Sequence, residues 1–541
     1  MRIKAMLPAL LACCMPAFAQ NIRQSVQVTN EYETKFADFR KVELETQLPD
    51  SLYDFDYSFD YSVFDSPYRG SYEFTPYEIR ITPEPMEYDG SRFLLRAGAG
   101  YTLRPVLDLY WTAIRNNELT LGLSNSGRGY CGPYSARPSA DGTVLGGFDG
   151  HDFSDSFGVS GHYIMRGADL RFKAGYDGIF TGDGTDASGY NSAYAGVRLS
   201  SAEKSKTYFA YDVGVGYRYG SDVRTAAAPG GGRLSSGESH LVVDGSFGPV
   251  INGKYAFSLD FLFESEMLNR PEGYSDMLAN HAVLTPHVSF IQGIFHIDAG
   301  LTIDYLGGGN SNSFQFAPAV DVSVLMFSGS TRAFVSLTGG RSLLDMYTLK
   351  NVNHFHSPAV SSPSAMREAF GACLGVEGRA GRSFQYTVKG GYSSLDGAPL
   401  EYLRKISFAD ADFVYAGLDF KWISRRLDVD GGFDWRHVVK HAAAEAFAPA
   451  EFAGDISVRY SWLNRIYAGL SLEGACGRSA LDGSPLSVPG YVDLGLSGEY
   501  KFSSRLAAWL RLGNLLGMDI ERHPGYVIPG PHFTAGILLK L

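Results

Sequence analysis

GYVIPGPHFTAGILLKL, residues 525–541, closes the chain. Within it Phe533, Ala535, Ile537, Leu539 and Leu541 alternate with His532, Thr534, Gly536, Leu538 and Lys540. A period of two that persists to the last residue is a strand with one apolar face. A terminal strand of this kind must pair, because a free apolar edge recruits other chains. The rest of the sequence indicates what it pairs with.

From about residue 91 onward the same alternation recurs. In KTYFAYDVGVGYRY (206–219), Phe209, Tyr211, Val213, Val215, Tyr217 and Tyr219 face one way, and Ala210, Asp212, Gly214, Gly216 and Arg218 the other. Residues 255–264 set Tyr255, Phe257, Leu259, Phe261 and Phe263 against Ser258, Asp260 and Glu264. Residues 427–435 and 491–502 repeat the pattern, the first with Asp428, Asp430 and Asp434 on the polar face. Segments of about 10 residues cross a bilayer as tilted strands, whereas strands of soluble sandwiches run about 5–6. Aromatics near segment ends (Tyr208 and Tyr219, Tyr460 and Tyr467, Tyr491 and Phe502) suggest girdles at two interfaces. The composition agrees, with 63 Gly, 33 Tyr and 35 Phe among 541 residues. A secreted soluble β protein is the alternative.

These features predict an all-β chain whose residues 91–541 form a large transmembrane antiparallel β-barrel of about 20–22 strands. Long connections are expected near 129–152, 179–189, 221–235, 267–279, 343–365, 395–405 and 479–487. Tight turns are expected near Arg166-Gly167, Gly293, Ser328-Gly329, Arg379–Gly381 and Ser503-Ser504. In lipid such a sheet must close, so the last strand should seal against the first, near 91–102.

The N-terminus reads as a secretory signal over residues 1–19: Arg2 and Lys4, an apolar stretch, then Ala17-Phe18-Ala19. Leu10-Leu11-Ala12-Cys13 also resembles a lipoprotein box. Cys131, Cys373 and Cys476 remain beyond the signal, too few and too scattered for a disulfide framework. Residues 20–90 form an acidic, aromatic extension, a periplasmic arm or a lumen filler; 21–90 hold 15 acidic and 6 basic side chains. Within it Tyr53, Phe55, Tyr57, Phe59 and Tyr61 alternate with polar residues and offer one aromatic face for a partner. The net charge of −11 argues against nucleic-acid binding.

Thr534, Gly536, Leu539 and Leu541 resemble the C-terminal assembly signal of outer-membrane barrel proteins, with Leu541 where an aromatic is usual. Asn514, Leu515, Gly525, Tyr526, Pro529, Gly530 and Phe533 resemble the final two strands of TonB-dependent receptors. The resemblance covers about 30 residues. It implies a receptor-like barrel in the outer membrane, with lipid and the barrel assembly machinery as partners. Members of that family carry a plug domain, for which the extension here reads as too short. Val26, Val28 and Thr29 loosely resemble the family's short partner-contacting box, so a periplasmic or outer-membrane protein is a candidate partner of residues 21–90.

The sequence carries no enzyme, metal or cofactor motif that supports an assignment. His354 and His356, like His437 and His441, read as solvated loop histidines. Asp183, Thr185 and Asp186 read as a turn, and His151 with Asp152 and Asp155 as a weak hydrolase-like cluster. Tyr130, Tyr134, Tyr347 and Phe355 lie in the expected outer loops and would suit a ligand. The function expected is solute binding or transport, alone or within a receptor complex. The alternatives are a non-transporting structural or assembly partner and, more remotely, a hydrolase.

Overall fold

The computed structural model describes residues 92–541, apart from 136, 139–143, 146, 185, 202–208, 227–232, 252–254, 272–273, 309–311, 357–364, 403–404 and 443. The residues assigned to the N-terminal extension and its contact segment lie outside this range.

Twenty-two strands form one closed antiparallel sheet. They are β1 (Phe93–Tyr101), β2 (Val106–Arg115), β3 (Leu119–Tyr134), β4 (Phe148–Ile164), β5 (Ala168–Gly182), β6 (Asp186–Ser201), β7 (Phe209–Ala226) and β8 (Arg233–Ile251). Next come β9 (Tyr255–Asn269), β10 (Met277–Gln292), β11 (Phe295–Gly307), β12 (Ser313–Met326), β13 (Thr331–Leu343), β14 (Ala365–Ala380) and β15 (Phe384–Tyr402). The circuit finishes with β16 (Lys405–Ile423), β17 (Leu427–His441), β18 (Phe452–Trp462), β19 (Ile466–Cys476), β20 (Tyr491–Lys501), β21 (Leu506–Gly513) and β22 (His532–Lys540).

Each strand pairs with its sequence neighbour, and β22 closes on β1 in the register Leu95↔Leu539, Gly98↔Gly536 and Tyr101↔Phe533. The chain therefore ends on a strand because that strand is the seam of the barrel. Gly536 has a steric reason to be glycine. A Cβ there would stand 2.0 Å from the Ala97 carbonyl oxygen, and the Trp509 ring covers both it and Gly98. The indole N–H donates to the Ile537 carbonyl (3.2 Å), and Arg96 lies over the ring. Thr534 is buried, while Phe533, Ile537 and Leu541 stay exposed on the outer face.

The expected alternation holds around the wall. Phe209, Val215, Tyr217 and Tyr219 are exposed on the outer face of β7, as are Phe257 and Phe263 on β9 and Phe433 on β17. Water could not support such a surface; lipid does, at about 1.5–3 kcal/mol for each large side chain removed from water. The inner face carries charge. Arg198 pairs with Asp212 (2.6 Å) and Asp244 (2.9 Å), and Arg332 with Asp321 (2.8 Å) and Glu377 (3.0 Å). Two girdle assignments are corrected. Tyr467 and Tyr491 are buried on the inner face, where Lys501 and Glu473 bond their hydroxyls. Each sits at the odd position of its strand relative to the lipid-facing set, so period two turns it inward.

Most connections from even to odd strands are two to four residues long, with Gly293 and Gly381 in the left-handed conformation. Connections from odd to even strands lie at the opposite end, the outer end by the rule for such barrels. Two expected long loops are absent. β5 and β6 leave only 183–185 between them, and β15 and β16 only 403–404. Their Gly, Ser and Asp content reads as loop, but above the bilayer both faces of a sheet are wet and small polar residues pair as strand.

Candidate functional site

The longest connection, between β13 and β14, does not stay outside. It turns into the barrel mouth as a short helix, α1 (Met346–Val352), followed by 353–356. Asp345 caps the helix by accepting from the Thr348 N–H (2.9 Å), which fixes the entry angle. Met346 and Leu349 are fully buried. Met346 packs among Ile179, Tyr190 and Leu268, and Leu349 among Leu344 and Ile406. These two apolar clusters thus join the lid to the wall around it, while others, such as Ala398, Leu400, Ala409, Ala446, Ala448 and Leu481, form without it.

Polar contacts tie the lid to widely separated strands. Lys350, fully buried, sends its Nζ to Asp222 on β7 (3.2 Å), Ser188 on β6 (2.8 Å) and the His354 carbonyl (3.2 Å). Burial drives the Lys350 pKa down, against the pull of Asp222. His354 Nδ1 donates to Asp152 on β4 (2.8 Å). On the other side, Asn353 donates to Glu401 on β15 (3.0 Å), which also accepts from His523 (2.7 Å). The Ile406 N–H donates to His356 Nδ1 (3.1 Å). Burial, with Lys350 and Arg224 nearby, lowers the His356 pKa to about 3, so this imidazole stays neutral.

Aromatic contacts complete the closure. Phe355 stacks on Tyr526 at 3.6 Å and 16°, and Tyr134, Phe148 and Tyr130 pack around that pair. Tyr347 lies under the Arg218 guanidinium (3.7 Å), which also bonds Asp177 (2.8 Å). Tyr130, Tyr134, Phe355 and Tyr347 therefore serve the lid's packing rather than a free outer surface. His354 and His356 are likewise built into the lid; their partners Asp152 and Ile406 lie far away in sequence. His437 and His441 are exposed, as expected, but lie on β17 rather than in a loop.

The C-terminal motif explains how Tyr526 reaches the lid. Asn514 is fully buried at φ 49°, a conformation asparagine tolerates. Its side chain donates to the Met518 (2.6 Å) and Gly530 (2.9 Å) carbonyls and accepts from the Met518 N–H (3.0 Å), tying both ends of the last outer loop together. Gly525 and Gly530 take φ 89° and 70°, and the Gly525 N–H donates to Glu521 (2.6 Å). Pro529 precedes that second glycine, and Phe533 follows on the lipid-facing side of β22.

The hydrolase-like cluster is taken apart by the strand. His151 and Asp152 are adjacent on β4, so they face opposite sides of the wall, Asp152 inward to His354 and His151 outward beside Phe153. Asp155, on the outward set, accepts from Asn125 (3.0 Å). Asp183 makes a turn by accepting from the Asp186 N–H (2.8 Å). The three described cysteines are free.

No family model matches the chain, and no curated protein does. Solved structures do share its fold. The ferric enterobactin receptor of Pseudomonas aeruginosa superposes with a TM-score of 0.61 at 10% identity, over 83% of this chain and 81% of its own. The FrpB iron transporter of Neisseria meningitidis gives 0.63 at 10%, with the same coverages. The copper transporter OprC gives 0.59 at 11%, over 84% and 80%. The chain thus shares the closed antiparallel barrel fold of these receptors and transporters.

Proposed function

We propose that this receptor-like barrel binds or passes a solute at the outer membrane, with residues 344–356 as the gate of its mouth. One observation carries the reading: an outer connection folds into the lumen and is held by buried polar bonds to strands on separate parts of the wall. Such bonds are strong when made and costly when broken singly, which suits a gate with two discrete positions. The solved neighbours named above are receptors or transporters for ferric enterobactin, iron or copper, so metal chelates are the first cargo to try. The closing strand, with Thr534, Gly536, Leu539 and Leu541, is the segment the assembly machinery would read. Val26, Val28 and Thr29 and the aromatic face from Tyr53 to Tyr61 are the segments a periplasmic partner would contact.

Planar-bilayer conductance of four forms tests the gate: the mature chain, the chain lacking residues 21–90, and each with Lys350→Met. The lid variant should raise conductance or its flicker, most clearly in the truncated chain. Equal conductance in all four would overturn the reading and favour a non-transporting partner role.

A further inference from the structure

Beneath the lid lies a group of donors that the fold and the gate explain only in part. Glu238 and His240 on β8 and Asp345 at the head of the lid place one ligand atom each within 4.8 Å of one another. Glu266 on β9 sits directly across from His240 in the sheet register. Paired residues of an antiparallel sheet hold their Cβ atoms about 4.5–5.5 Å apart on one face, so Glu266 joins the same inner patch.

Two of the carboxylates are poorly accounted for by the protein. Glu238 is 0% exposed; one oxygen accepts from the Met346 N–H (3.2 Å), and Oε2 has no hydrogen-bond partner. Glu266 is 2% exposed, and its Oε1 has none. His240 Nδ1 is 3.3 Å from Asp345, while Nε2 lacks a hydrogen bond and stands 3.9 Å from Glu264. The nearby cation, Arg218, is engaged by Asp177, Ser192 and the Tyr347 ring. Buried carboxylates without partners are costly, and a cation among them removes the cost.

We propose that Glu238, His240, Glu266 and Asp345 hold one divalent transition-metal cation that fastens the lid to the wall. One imidazole nitrogen with carboxylate oxygens suits Zn²⁺ or Mn²⁺. The cation is a latch rather than cargo: three donors belong to adjacent wall strands and the fourth to the lid. It differs from the Lys350–Asp222 pair in being removable, so chelation frees the lid at the β8–β9 side without changing a covalent bond.

The test uses the full chain in detergent, stripped with EDTA and titrated with Zn²⁺ alone and with Mn²⁺ alone. Heat-modifiable gel mobility confirms a folded barrel in every variant. The wild type should bind one equivalent more tightly, by about tenfold or more, than Glu238→Gln, His240→Ala or Asp345→Asn. Asp482→Asn, in an exposed loop, should match the wild type. Absence of that equivalent in the wild type, or its retention in the first two variants, overturns the site. Retention in Asp345→Asn alone overturns the latch. Flux plays no part in this readout, so failure of the transport reading leaves it standing.

Discussion

From β3 to β17 the strands run 13–19 residues; from β18 round through the seam to β2 they run 8–11. About 10 residues cross the bilayer, so the first sector stands well above it and the second barely clears it. The tall sector packs Ile179, Tyr190, Leu268 and Ile406 on the lid and meets it with charged and polar side chains too: Asp152, Ser188, Asp222, Glu238 and Glu401. The short sector has no wall at that height. It supplies a folded loop instead, residues 514–531, knotted by Asn514 and carrying Tyr526 to Phe355. One lid is thus held by polar bonds to the tall sector, the Lys350–Asp222 pair above all, and by the Phe355–Tyr526 stack to the loop of the short one, and the two attachments should fail differently.

The largest effect is expected on the tall side. Lys350→Met leaves Asp222 buried and unpaired, which should cost about 3–5 kcal/mol of lid docking. Hydrogen exchange at the Leu349 and Asn353 amides should speed up while the barrel amides stay protected. Adding Asp222→Asn should recover part of the loss; a double variant worse than the single would break the assignment of the pair.

On the short side, Tyr526→Ala removes one member of a packed aromatic cluster, for about 3 kcal/mol, read by the same exchange experiment. Unlike Lys350→Met, its effect should be nearly independent of salt and pH. Asn514→Ala should cost about 2 kcal/mol, through lost hydrogen bonds and an unfavourable positive φ, and should release Tyr526 indirectly.

Acid sharpens the contrast. His356 is neutral when docked, with its pKa lowered from 6.5 to about 3, and its Nδ1 must accept from Ile406. A released lid binds the extra proton below pH 6.5, so docking contributed by this group is full above pH 6.5 and declines as pH falls toward 3. His356→Leu should flatten that part of the exchange-versus-pH profile. The smallest effect belongs to the exposed Lys405–Glu445 pair: Lys405→Gln should change lid exchange by less than about 1 kcal/mol.

Much of the barrel was legible because lipid imposes a simple rule on every strand. Alternation gave the wall, the expected 20–22 strands bracket the 22 found, and the apolar end of the chain announced the seam. Strand length above the bilayer was not legible, because there both faces are wet and the alternation vanishes, as in 179–189. The lid was hidden for a different reason. Lys350 and Asp222, or Asp345 and Glu238, are more than a hundred residues apart, and each reads alone as an ordinary surface charge. Asn514 and Tyr526 carried a signal through the C-terminal resemblance, and Tyr130, Tyr134, Tyr347 and Phe355 as loop aromatics, but neither gave a hint that Tyr526 would stack on Phe355.

Spin labels on a cysteine-free background, at the exposed Asn351 of the lid and the exposed Glu445 of the rim, test the docked lid most directly. The account predicts one narrow distance distribution in the wild type that broadens with Lys350→Met. A broad distribution in the wild type, indifferent to that substitution, would contradict it.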